Sequence, residues 1–154
     1  MEPPKAGFFR RFFALGVDCI LLDIVGEIVS YPLEKKFGLS TREILEQLTS
    51  GGGEAKQALT YVLLYTTLLT VLWGLYFTCF LGVDGQTPGK KLLGVRVVRV
   101  DGKPMDYKTA FNRFAGYSIS GSVFFLGFIW ALFDRNKQTW HDKMAHTIVV
   151  RKPS

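Results

Sequence analysis

The sequence predicts a membrane all-α protein. It has three hydrophobic segments, the third re-entrant or bent, and a short cytoplasmic β-ribbon. Three observations predict this. Residues Leu59–Val83 run for 25 positions without a charge, and about 20 helical residues span the roughly 30 Å hydrocarbon core of a bilayer. Residues Phe114–Phe133 form a second uncharged block, of 20. Lysine and arginine are spread unevenly over the intervening segments, and that unevenness sets topology in membrane proteins.

The first segment, 8–31, is apolar but carries Arg10, Arg11, Asp18, Asp23 and Glu27. Three acids inside the run, and no small-residue cleavage site after it, predict a membrane helix rather than a signal peptide. Residues 32–58 hold four basic and four acidic residues and are expected outside. Within them Ser40 and Glu43 have capping-box spacing. Ile44, Leu45 and Leu48 then give one apolar face, so a short interfacial helix is expected before the second span, 59–83.

Residues 84–113 carry seven basic and three acidic residues, and the tail 134–154 carries five and two. The positive-inside rule places both in the cytoplasm with the N-terminus. A cytoplasmic tail then requires segment 114–133 to enter and return, whereas a single crossing would put the tail outside against its charge. Gly116, Gly121 and Gly127 permit a bend, provided protein or water satisfies the irregular backbone. Two β-branched runs, "LLGVRVVRV" and "HTIVVRK", read as strands that pair at the membrane surface.

The stretch "DGQTPGKKLLG" (84–94) invites a phosphate-loop reading and fails it. A G-x-x-x-x-G-K-[ST] loop needs glycine where Asp84 stands and Ser or Thr where Lys91 stands. It reads instead as a helix exit: Gly82 and Gly85 release the helix, Pro88 stops it, and Lys90 and Lys91 reach lipid headgroups.

The charges inside segment 8–31 are the candidate functional residues. A carboxylate near the bilayer centre costs on the order of 2.5–3.5 kcal/mol, so Asp18 needs a partner or water. Arg11 lies seven residues away, on nearly the same helical face. Asp23 and Glu27 form an i, i+4 pair on another. Asp18 is then a folding lock, a proton or cation relay, or a shallow solvated acid.

His141 and His146 are five apart and do not stack as a zinc pair does. No metal pattern, nucleophile–base set or cofactor fingerprint is present, so neither an enzyme nor a cofactor is expected. Cys19 and Cys79 fall in apolar segments and are expected reduced. Topology and anionic lipid account for the basic inner face without nucleic acid.

Three ordered motifs resemble the RDD family of bacterial membrane proteins. "RFFALGVD" fits R-x-x-A-x-x-x-D at Arg11, Ala14 and Asp18. "GQTPGKKLLGVRVVRVDGKP" resembles the segment after the family's second span, and "ALFDRNKQTWHDKMAHTIVV" its ending, with His146 where glycine is commoner. The resemblance implies that Arg11 is the family arginine and Asp18 the first aspartate. Asp142 is the choice for the second and Asp134 its competitor. It also implies a bacterial inner-membrane location. Some members are associated with sodium/proton antiport, so a monovalent cation or proton, exchanged in a homo-oligomer, is one expectation. A scaffold or assembly factor for a larger membrane complex is the other.

Overall fold

The computed structural model describes residues 4–39, 41–50, 52–122 and 126–151. Helix dominates. In chain order the elements are α1 (Phe8–Phe37), α2 (Thr41–Ser50), α3 (Gly52–Asp84), α4 (Pro88–Leu92), β1 (Val95–Arg99), α5 (Tyr107–Ser122), α6 (Leu126–Ile129), a 3-10 turn (Trp130–Leu132), α7 (Trp140–Met144) and β2 (Thr147–Arg151). The chain divides into two compact units, Leu21–Trp73 and Met1–Ile20 with Gly74–Ser154.

Among the described residues, one helix, α3, is by itself long and apolar enough to cross a membrane. Helices 107–121 and 126–132 qualify only when taken together, and they are bent by 114°. The three hydrophobic segments of the sequence are therefore not three equal spans. α1 is 30 residues long, but its charges dilute its apolarity.

In unit Leu21–Trp73, α1 continues six residues past the expected end at Tyr31, straight through Pro32. Proline removes one ladder hydrogen bond, and local contacts hold the turn. Ser30 Oγ donates to Glu34 Oε1 at 2.8 Å, and the Phe37 ring packs 5.5 Å from that of Tyr61. α2 covers the expected interfacial helix, with Leu45 and Leu48 exposed. Its proposed cap, Ser40, lies outside the described residues, as does Gly51 of the "SGGGE" break.

The second unit is built on a small antiparallel sheet. β1 pairs with β2 in the register Val95↔Arg151, Val97↔Val149 and Arg99↔Thr147. Alternation puts Val95, Val97, Thr147 and Val149 in the interior. The N-terminal segment adds to the free edge of β2: Ala6 N–H donates to Val149 O at 2.9 Å, and Arg151 N–H to Pro4 O at 2.8 Å. A lone two-stranded ribbon is marginal in water. This one is covered by α4, α5 and α7, whose interior side chains include Ala110 and Arg113.

Gly85 shows how tightly α3 is turned onto the sheet. Its φ is +72°, and a Cβ there would lie 2.2 Å from Val97 O, an oxygen one residue's width from the bond that Val97 N–H makes to Gly85 O at 2.9 Å. Gly102 has a similar φ, +74°, with open space around it. Gly102→Ala is expected to cost about 1 kcal/mol from backbone strain alone. Gly85→Ala should cost about 3 kcal/mol or more, since overpacking adds to the strain. Thermal melts of the detergent-solubilised variants check this; equal losses would contradict the tight turn.

Candidate functional site

The site begins with Asp18, fully buried on α1. A buried carboxylate is tolerable only when its oxygens are occupied by donors. Tyr76 Oη donates to Oδ1 at 2.8 Å, Gly89 N–H donates to Oδ1 at 2.8 Å, and Thr87 Oγ1 donates to Oδ2. The Lys90 ammonium stands 3.9 Å from Oδ2 and 5.7 Å from the Phe77 ring centroid.

Three of these groups come from the glycine stretch that the sequence presented as a helix exit. Thr87 caps α4, accepting from Lys90 N–H, and Pro88 occupies the first helical turn, where its missing N–H costs nothing. Gly89 is required by proximity. A Cβ there would sit 2.1 Å from Ala14 O and 2.8 Å from Asp18 Oδ1. The loop is thus an anion cradle, and the anion is the protein's own carboxylate. Lys90, expected at the headgroups, is buried instead, while its neighbour Lys91 is exposed and pairs with Asp84 at 3.2 Å. A turn of about 100° per residue separates the two.

The second cluster centres on Asp142, also fully buried. Arg11 Nη1 donates to Oδ2 at 2.9 Å, and Arg113 Nη1 lies 2.5 Å from Oδ1. The same carboxylate closes a capping box on α7: Oδ2 accepts from Thr139 N–H at 3.1 Å, and Thr139 Oγ1 accepts from Asp142 N–H at 3.3 Å. Arg113 also donates to Thr147 on β2. One carboxylate therefore ties α1, α5 and α7 together.

Burial alone would raise the Asp142 carboxyl, but the charges of Arg113 and Arg11 and the Thr139 N–H outweigh it and hold it below the usual carboxylate range. His141 is pushed well below its ordinary value, chiefly by burial, with Arg113, Lys90 and Arg11 adding to the effect against Asp142. Its ring is edge-on to Tyr117 at 4.3 Å.

Of the residues singled out by sequence, Arg11 and Asp142 meet directly. Asp18 sits on the same α1, with α4 rather than Arg11 as its partner. Asp134 lies apart from both. It accepts from Asn136 N–H at 3.0 Å and Gln138 N–H at 3.1 Å and pairs with Lys143 at 2.6 Å, which makes it a turn-capping acid. Asp23 is exposed and joins neither cluster; five residues of helix turn it away from Asp18. Among the described residues, no group of three or more His, Cys, Asp or Glu could hold a metal ion.

Sequence reasoning missed Thr87, Gly89, Tyr76 and Thr139 as site residues. An internal repeat carries the missing signal. The pattern Q-T-x-x-x-K-x-x-x-x-x-V-V-R occurs at Gln86–Arg99 and again at Gln138–Arg151, 52 positions later. Both copies fold alike. Gln86 Nε2 donates to Val95 O at 2.8 Å, and Gln138 Nε2 to Thr147 O at 2.9 Å. Each copy is a threonine-capped five-residue helix, a residue of positive φ (Gly94 at 63°, His146 at 49°) and a strand. The equivalent residues Val97 and Val149 face each other in the ribbon, so a local two-fold axis passes between them. The helices repeat too: Arg11, Ala14 and Asp18 of α1 correspond to Arg113, Gly116 and Ser120 of α5. Gly116 packs on His141 as Ala14 packs on Gly89.

Among the described residues, one candidate membrane helix, a small antiparallel ribbon and two buried ion clusters are features that fit a small membrane-associated protein. The chain belongs to the RDD family, whose model matches residues 5–146. It is similar to the uncharacterized protein YxaI of Bacillus subtilis (strain 168), 29% identical over 153 residues, covering 99% of this chain and 100% of that protein. No solved structure matches the chain.

Acid should unlock this site. The unfolded chain binds protons at His141 and Asp142 that the folded chain does not, so stability rises with pH wherever that holds. Stability is complete above the ordinary histidine value near about 6.5 and falls below it, then falls further below the ordinary carboxylate value near about 4. Melting temperatures between pH 8 and pH 4 are expected to decline accordingly, and His141→Phe should flatten the first part of the decline. A melting temperature that rises on acidification would contradict the assignment.

Proposed function

We propose that the chain is a non-transporting membrane scaffold or assembly factor, in which the two buried ion clusters lock the helices to a cytoplasmic module. The observation that carries this is the company Asp18 keeps. Two hydroxyls, a backbone N–H and an ammonium surround it. A sodium ion needs oxygens that are free to coordinate it. Here the hydroxyl hydrogens are turned to the carboxylate, and the Lys90 ammonium already supplies the countercharge.

In this reading α1 and α3 cross the bacterial cytoplasmic membrane, α2 lies at its outer face, and the α5–α6 pair enters and returns. The 114° bend supports the re-entrant path. The pairing of Pro4–Ala6 with β2, and of β2 with β1, supports a common cytoplasmic side for the N-terminus, residues 84–113 and the tail. The charge balance sets that side. Exposed apolar residues such as Phe9, Ile20, Ile24 and Ile28 on α1 would face lipid, a second copy or a larger membrane-protein partner. No catalysis is proposed.

The second reading is sodium/proton exchange by a homo-oligomer, with Asp18 as the exchange site and Arg11 and Asp142 as an inner gate. A buried carboxylate on a membrane helix favours it. Asp18→Asn separates the two. The lock predicts a loss of about 3–5 kcal/mol, because Lys90 is left buried and unpaired, while Asp23→Asn changes stability by less than about 0.5 kcal/mol. It also predicts no sodium-driven proton flux from pure wild-type protein in liposomes. Flux in wild type that disappears in a fully folded Asp18→Asn variant would overturn the scaffold reading.

A further inference from the structure

A cavity of about 390 Å³ lies between the two halves of the internal repeat. Its polar wall holds Arg11 and Lys90 from the first half and Arg113, His141 and Asp142 from the second. Its apolar wall is made by Phe8, Phe12 and Leu15 of α1 facing Phe128 and Ile129 of α6. The volume is that of a small-ligand site. In membrane proteins built from repeats, ligand sites lie where the repeats meet.

Charge says what the cavity accepts. Three cations line it against one carboxylate, and counting Asp18 beside Lys90 still leaves one positive charge over. The Nε donors of Arg11 and Arg113 are buried without a hydrogen-bond partner, as are His141 Nδ1 and one acceptor, Asp142 Oδ1. Arg113 is 1% exposed, so this unused donor is built into the interior. An excess of buried donors and positive charge beside an apolar wall is complementary to an anionic head on a hydrocarbon tail. A bare inorganic anion would leave the phenylalanine wall unfilled.

We propose that the cavity holds one anionic phospholipid of the surrounding bilayer, its phosphate on the Arg11 and Arg113 guanidinium groups and an acyl chain against Phe8, Phe12 and Phe128. The site rests on the membrane reading above. The neutral ring of His141 would lie beside the phosphate, and the lipid would replace the countercharge that the fold itself lacks.

Native mass spectrometry of the full chain, titrated with phosphatidylglycerol, phosphatidylcholine or inorganic phosphate, tests this. Wild type is expected to retain one phosphatidylglycerol with about tenfold preference over phosphatidylcholine, and to bind inorganic phosphate weakly. Ala131 is buried and lines the cavity, so Ala131→Phe should fill it without touching a charge. That variant is expected to keep its helical circular dichroism and lose the bound lipid. Leu15→Trp is a second filler with the same expectation if Ala131→Phe does not fold. Equal retention of the two lipids, or undiminished phosphatidylglycerol on a folded filler variant, overturns the proposal. Alkaline carbonate washing of membranes separates the two failures. Release of the chain would sink the membrane reading, whereas a chain that stays in the membrane and binds no lipid sinks the cavity proposal alone.

Discussion

A carboxylate buried inside a helix cannot be satisfied by that helix, whose own N–H groups are spent on its backbone ladder. Asp18 therefore needs donors from elsewhere in the chain, and α4 delivers them: a hydroxyl, an N–H and an ammonium from Thr87, Gly89 and Lys90. This requirement fixes where the chain must go after α3. It brings α4 against Ala14, and β1 follows α4 directly in the chain. From there β1 fixes β2, and β2 carries α7 with Asp142 back to Arg11. The two ion clusters are successive steps of one docking.

Internal duplication gives a reason for the two clusters to resemble each other. Each half contributes an arginine-bearing helix and a threonine-capped turn. The third position of the turn differs: Lys90 in one half, Asp142 in the other. The helix position differs in the opposite sense, Asp18 against Ser120. An acid in the turn of the second half gives the arginine of the first half an attraction across the two-fold axis. Arg11 reaching across to Asp142 is that attraction at 2.9 Å.

Features with a local cause were legible in the sequence. The charge-free run 59–83 lies within α3, and the β-branched runs are the paired strands. The length of α1 was not legible, because continuing through Pro32 depends on contacts made by Ser30 and Phe37. Nor was the cradle. Gly89 and Asp18 are 71 residues apart, and nothing in a glycine–lysine pair says that its N–H will meet a carboxylate. Lys90 and Lys91 look alike in sequence, and only the rotation of α4 buries one and exposes the other. Asp142 was preferred to Asp134 on the resemblance, and residue type did not separate them. In the fold Asp134 caps a turn, and Asp142 meets Arg11 and Arg113. The repeat was present in the letters, but its identities are scattered over 14 positions, and the conserved geometry gives them meaning.

The central claim is that Asp18 is held by α4. A double-mutant cycle between Asp18→Asn and Lys90→Met, read as unfolding free energies in detergent, addresses it most directly. Each single variant leaves one charge buried without its partner, and the double variant leaves neither. A coupling of about 1–3 kcal/mol, with the double variant more stable than the sum of the singles, is the result this account predicts. Additive losses would mean that the two groups do not sense each other, and would contradict it.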